Sequence, residues 1–450
     1  MNTKNLAMAM AAGCAINAAA LADVTFRMVA DQDLAVLSDG ANNPTFFIGN
    51  NPSVCALVGD NLFVAGYRNN TSGTGVFASC QMVKIENIFG ARAFRLVPDS
   101  LVTTMPGLRG FYGLQYDYGP SRAGLVLNYD AGSIGTAGAF KLFDVDTQLN
   151  PILVATSPAG TSARGGAGPA FDYGANGQGF GSGPVLSLLD FSNYGGVQAR
   201  GPFGVQVTGD FKLDVVQGRV YDGNSIDGNN NPIAPVINGG GLSGTIWRDI
   251  SIDPRNGNLA ARSSNDVVIA RRDAFNGVAS KVVVSCDTGT TCDDLPFAIL
   301  QRTELLWGSA AGDIVIYNRQ ASGTNFSDIV LAADLDGNPV PLTFKDLDGT
   351  PFSVTSAPGY FDFSWDGVNG RLAVLDFANR YAYIFEVETT PTCGPCFADY
   401  NQDGGVDGGD IEAFFTDWES SAGCSDANLD GGVDGGDIEA FFTQWEAGGC

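Results

Sequence analysis

The chain has 450 residues, with 24 Lys+Arg against 49 Asp+Glu, 60 Gly, 20 Pro, nine Cys and no His. A formal charge of −25 argues against broad contact with nucleic acid or anionic lipid, since both need basic patches. The missing histidine excludes Ser-His-Asp and Cys-His catalysis and His-ligated zinc, copper or iron, so any chemistry must run on carboxylates, Tyr, Lys, Ser or a bound ion.

Residues 1–22 read as an export signal. Lys4 supplies a positive start, Leu6 to Leu21 is an Ala-rich apolar stretch, and Ala20-Leu21-Ala22 gives a small-x-small cleavage pattern before Asp23. The stretch is too short to span a bilayer comfortably, and no other segment approaches 18 apolar residues, so no membrane span is expected. Ala12-Gly13-Cys14 is a loose lipidation pattern that competes with simple cleavage. Removing residues 1–22 leaves eight cysteines, an even number that suits a disulfide set in a secreted protein. Cys55 with Cys80 and Cys286 with Cys292 are the candidate body pairs; Cys393, Cys396, Cys424 and Cys450 are the tail candidates, in any of three connectivities.

Residues 23–390 read as a β-rich body. Short alternating runs of β-branched and aromatic residues are punctuated by Gly, Asn and Asp turns. One unit recurs, as in Ile250-Ser-Ile252-Asp253-Pro-Arg-Asn256-Gly257 and Phe361-Asp-Phe363-Ser-Trp365-Asp366 followed by Gly370. The turn glycines at 59, 124, 179, 218, 257, 312 and 370 average about 52 residues apart, a plausible blade length for a six- or seven-bladed β-propeller. Two stacked sandwiches are the alternative. Asp117, Asp253 and Asp366 end strands and are read as turn formers. Asp334-Leu-Asp336-Gly337 and Asp346-Leu-Asp348-Gly349 resemble half of a calcium loop but lack the later ligands, so they are read as hairpin turns. No catalytic residue is identified.

Residues 391–395 form a short linker, and residues 396–450 a small all-α module. From Cys393 onward there are 13 Asp+Glu and no Lys or Arg. The run Asp399-Tyr-Asn401-Gln-Asp403-Gly404-Gly405-Val406-Asp407-Gly-Gly-Asp410 recurs as Asp426-Ala-Asn428-Leu-Asp430-Gly431-Gly432-Val433-Asp434-Gly-Gly-Asp437. Oxygen ligands at positions 1, 3, 5, 9 and 12, a turn glycine at 6 and a backbone carbonyl at 7 (Gly405, Gly432) are the EF-hand arrangement. Two Ca2+ ions are therefore expected. Val406 and Val433 could pair the two loops as short strands. Each loop runs into an apolar stripe at helical spacing, Ile411, Phe414, Phe415, Trp418 and Ile438, Phe441, Phe442, Trp445, with no helix before the loop.

A duplicated loop-plus-one-helix motif resembles a dockerin, and Cys396, Cys424 and Gly449-Cys450 are similar to the GC-type subgroup. The resemblance is confined to the tail, 396–450, and does not extend to the body. It implies calcium-dependent docking to a cohesin-like partner or another cell-surface scaffold. Loop positions 10 and 11, which carry recognition side chains in the family, are Gly408-Gly409 and Gly435-Gly436 here. Two readings of the whole chain follow: a secreted or cell-surface binding propeller, for a glycan or protein ligand, held by its tail, or a dockerin-borne glycoside hydrolase or polysaccharide lyase with a carboxylate site.

Overall fold

The computed structural model describes residues 24–38, 48–67, 81–100, 110–120, 124–129, 140–145, 151–156, 167–173, 185–190, 201–207, 213–215, 247–263, 266–272, 278–285, 301–319, 326–354, 361–388, 397–401, 403–419, 425, 427–428 and 433–447. The protein is mainly β, with two helices at its C-terminal end.

The described strands form six sheets, five of four strands and one of five. Each four-stranded sheet is an antiparallel meander. The first strands of successive sheets are Asn51–Val58, Phe111–Tyr116, Ala167–Asp172, Trp247–Ile252, Thr303–Leu306 and Phe361–Asp366; the sheets are numbered 1 to 6 in that order. Each first strand lies against that of the next sheet, and Phe361–Asp366 lies against Asn51–Val58, so the ring closes. This radial closure is a β-propeller, and it excludes the stacked sandwiches.

Sheet 6 is completed from the other end of the chain. Val24–Asp33 pairs antiparallel with Tyr381–Glu388 on one side and parallel with Leu342–Lys345 on the other. Closing a ring with a strand distant in sequence leaves no gap between the last sheet and the first. Gly59 and Gly370 turn the first hairpins of sheets 1 and 6 at φ of +57° and +68°, a left-handed conformation that glycine adopts without strain. The turns at 124, 257 and 312 occupy the same place in their sheets, and 179 lies between the first two strands of sheet 3, outside the described residues. Gly218 differs. It follows the last strand of sheet 3, Leu213–Val215, and so does not mark a seventh equivalent unit.

The apolar alternation buries the faces between sheets. One cluster joins sheets 4, 5 and 6 around Phe26, Phe326, Phe344 and Phe385, a second joins sheets 1 and 2 around Phe63, Phe111 and Phe143, and a third joins sheets 1 and 6. Cys55 belongs to the third. It is a free, buried thiol, so the expected bridge to Cys80 is not made: Cys55 sits inside a first strand, facing Asp362, not at an outer edge. The other candidates, Cys80, Cys286, Cys292, Cys393, Cys396, Cys424 and Cys450, lie outside the described residues.

The half-loops at Asp334 and Asp346 are hairpin turns. Asp334 Oδ1 accepts the N–H groups of Asp336 and Asn338, and the Asp346 N–H donates to the Thr350 carbonyl. The helices are α1, Gly408–Glu419, and α2, Gly435–Glu446. Among the described residues no helix is long and apolar enough to cross a membrane.

Candidate functional site

The first strand of every sheet is an edge strand, with one row of backbone groups outside the hydrogen-bonded ladder. Buried N–H groups left bare are costly, so the sequence must supply acceptors. It does so by alternation. In Asp362-Phe-Ser364-Trp-Asp366 the polar residues share one face, and they accept from sheet 1: Asp362 Oδ2 from Cys55 N at 2.8 Å, Ser364 Oγ from Leu57 N at 2.9 Å and Asp366 Oδ2 from Gly59 N at 3.1 Å. Asp249 and Ser251 repeat the device, accepting from Thr303 N and Leu305 N of sheet 5, each at 3.0 Å.

Of these side chains, Asp249, Asp362 and Ser364 line a cavity at the propeller axis, with an empty volume of about 640 Å3 including its open mouth. Its wall combines Tyr116, Tyr118, Phe171, Trp307 and Trp365 with Gln115, Asp249, Arg302, Glu304 and Asp362. The aromatic positions are fixed. The Trp365 indole N–H donates to the Trp307 carbonyl at 2.8 Å, and the Tyr118 hydroxyl donates to the Leu57 carbonyl. Tyr118 meets Trp307 edge-on at 6.0 Å and Tyr116 at 4.8 Å. Gly367 permits this packing, since a Cβ there would stand 2.6 Å from the Trp307 ring.

Arg302 anchors the charge. It is 1% exposed, with Nε 2.9 Å from Asp362 Oδ1 and Nη1 3.7 Å from Asp249 Oδ1. Burial nevertheless raises both acids, Asp249 to about 7 and Asp362 to about 6, against the opposing pull of Arg302. Glu304 is pushed well above the usual carboxylate range, first by desolvation and then by the charge of Asp249. Glu304 lies deep but keeps some exposed surface toward the cavity, so it remains reachable from solvent. Burial also raises the Cys55 thiol, reinforced by Asp362.

The strand-ending acids behave as the turn formers expected. Asp117 accepts from the Gly119 N–H and the Tyr173 hydroxyl, Asp253 from Arg255, and Asp366 from Val368 and Asn369 as well as Gly59. The functional cluster is not legible in the sequence because it gathers residues from five sheets. One signal was present: Asp-x-Ser-x-Asp occurs at 249–253 and again at 362–366, an unusual polar face on strands buried on both sides.

The tail is a second candidate. Phe414 and Phe441 are fully buried and stack at 4.2 Å, 2° from parallel. The Trp418 indole donates to the Asp434 carbonyl and the Trp445 indole to the Asp407 carbonyl, both at 3.0 Å. These reciprocal bonds tie each helix to the other repeat's loop; Val406 and Val433 lie in no strand. In the first loop, Asp399 accepts from Gly404 N, Asn401 from Asp403 N, Asp403 from Gly405 N, and Asp407 from Gly409 N. Asp410, at position 12, is buried and accepts from Asn401 N and Asp407 N; Asp437 does the same with Asn428 N and Asp434 N. Asp434 and Asp437 thereby form a capping box at the start of α2. Burial would raise Asp437, but these N–H groups outweigh it and hold the carboxyl below its ordinary value. Asp426, Asp430 and Gly432 lie outside the described residues. The oxygen donors suit a hard cation, while among the described residues no three acidic side chains are grouped as metal ligands.

No family model matches the chain, and no curated protein matches it. Among solved structures, it is similar to a functionally unknown protein from Desulfotomaculum acetoxidans, at 11% identity and a TM-score of 0.36, covering 64% of this chain and 84% of that one. It is also similar to the β-propeller domain of Cps50 (Swd1) from Myceliophteria thermophila, at 10% identity and a TM-score of 0.38, covering 75% and 97%.

Proposed function

We propose that this is a secreted ligand-binding protein: a six-bladed propeller whose axial cavity takes a carbohydrate, held to a scaffold or cell surface by a dockerin-like module. The observation that carries the binding reading is the wall of the cavity. Aromatic faces and edges beside a few convergent polar groups are what a sugar ring, apolar on its faces and hydroxylated at its rim, requires. Binding is favoured over hydrolysis because a glycosidase needs two working carboxylates. Here Asp249 and Asp362 are both engaged by Arg302 and by backbone N–H groups, which leaves Glu304 as the one of these three acids with no ion pair among the described residues.

The tail would hold two Ca2+ ions, through Asp399, Asn401, Asp403, Gly405, Asp407 and Asp410 in one loop and Asp426, Asn428, Asp430, Gly432, Asp434 and Asp437 in the other. What supports this is the repeated ligand spacing together with the absence of any basic residue in the tail. A cohesin-like scaffold protein is the partner that the dockerin resemblance implies.

The test is a titration of the full chain with neutral oligosaccharides, following Trp fluorescence and analysing the solution for cleaved product. Saturable binding without product is expected. Product release would replace the binding reading with the hydrolytic one, and no binding by any saccharide would overturn both. Equilibrium dialysis against Ca2+ should give two ions per chain, and none in the Asp403→Ala/Asp430→Ala double variant.

A further inference from the structure

We propose that the axial cavity is selective for a ligand bearing a protonated amine, an amino sugar being the class that fits, with the ammonium set against Glu304; this rests on the carbohydrate reading above. The basis is a charge count. Four carboxylates, Asp117, Asp249, Glu304 and Asp362, line this cavity, and Arg302 is the one cation among its described lining residues. Arg302 is committed to Asp362 and Asp249. Glu304 is held by Ser251 and the Trp365 N–H, and no ion pair among the described residues reaches it.

Among the described residues the neighbouring elements offer no further compensation. Sheet 1 brings the buried Cys55 thiol, sheet 2 brings Tyr116, Tyr118 and an Asp117 already bonded to Tyr173 and Gly119, and sheet 3 contributes Pro169 and Phe171 to the wall. Carboxylates in such surroundings are neutralised by protons or by a cation. An ammonium on the ligand would take the place of a proton, and the aromatic wall suits a cation with an organic body. Trp307 already receives one cation on its face, Arg255 at 5.4 Å from the ring centroid. A second, independent observation points to a donor on the ligand: Gln115 is a lining residue of the cavity, and its buried Oε1 has no hydrogen-bond partner among the described residues. An ammonium or a sugar hydroxyl would supply one.

The decisive comparison is between two tetrasaccharides of the same skeleton, β-1,4-linked glucosamine and cellotetraose, which differ by an ammonium or a hydroxyl at C2. With the full chain at pH 6.5, the amine form should bind at least tenfold more tightly. Its binding should release protons, read as a dependence of the calorimetric heat on the buffer's ionisation heat; cellotetraose should release none. Glu304→Gln should reduce the preference to about twofold or less, and an unchanged thermal unfolding profile would show that the variant is folded. Equal or tighter binding of cellotetraose would overturn the amine proposal and leave the carbohydrate reading standing. Failure of both sugars to bind would overturn the two together. An undiminished preference in a folded Glu304→Gln protein would remove Glu304 from the assignment.

Discussion

At the propeller axis, Asp249 and Asp362 accept N–H groups from a neighbouring strand; in the tail, Asp437 accepts N–H groups from its own loop. The bonds are alike and the electrostatic outcomes are opposite. At the axis, several sheets surround each carboxyl and burial outweighs both the N–H donors and Arg302, so the protonated form is favoured. In the tail, Asp437 has no exposed surface, yet the module around it is only two short helices and two loops, so water stays close and the N–H donors win. Depth, more than hydrogen bonding, decides whether a capped aspartate keeps its charge.

The two regions should therefore respond to pH in opposite directions. A carboxyl whose folded pKa lies above its unfolded value stabilises fully below the unfolded value and loses that contribution as pH rises through the folded one. For Asp249 and Asp362 the loss falls between about pH 4 and pH 7. Asp437, held low, contributes above about pH 4 and loses its contribution as pH falls.

The largest expected effect comes from removing the guanidinium at the axis. Arg302→Met leaves buried acids without their cation and should cost about 3–5 kcal/mol in urea unfolding of the body. The cost should be greater at pH 8 than at pH 5, where protonation supplies the missing neutralisation. In the tail, Phe414→Ala should cost about 3 kcal/mol by removing half of the stacked pair. Far-UV circular dichroism should show helix melting early while the strand signal persists. Asp249→Asn keeps an acceptor for Thr303 N but no titrating proton. It should flatten the decline in body stability between pH 5 and pH 8 by about 1–2 kcal/mol, measured by the same unfolding. Smallest is Trp418→Phe, which keeps the ring and loses the indole bond to Asp434; about 1 kcal/mol of tail stability should go.

How much of this was legible depended on distance along the chain. The tail's two helices could be read because each loop runs directly into its own stripe and the whole pattern occurs twice. The aromatic stripe was read correctly, although Phe414 and Phe441 alone are fully buried and the indoles of Trp418 and Trp445 reach across to the opposite loop. The propeller was legible from turn glycines such as Gly59 and Gly370, because a first hairpin recurs in each sheet. Gly218 misled because a glycine after a strand looks the same in sequence whether it turns the first hairpin or leaves the last strand. The axial cluster was not legible. Asp249, Glu304 and Asp362 stand on the first strands of three different sheets, far apart in sequence, and what gives them their character is depth. Cys55 shows the same limit: an even cysteine count suggested pairing, while its place inside a first strand leaves it a thiol.

The central claim is that the axis holds carboxyl groups that keep their protons toward neutrality and so call for a cation. The most direct measurement is a carbon-13 NMR titration of the aspartate side-chain carboxyls in the ligand-free full chain. Two signals should titrate well above the rest, near pH 6 and pH 7, and disappear one at a time in Asp362→Asn and Asp249→Asn. If every aspartate carboxyl is ionised by pH 5, the axis is an ordinary set of charged strand caps and the account is contradicted.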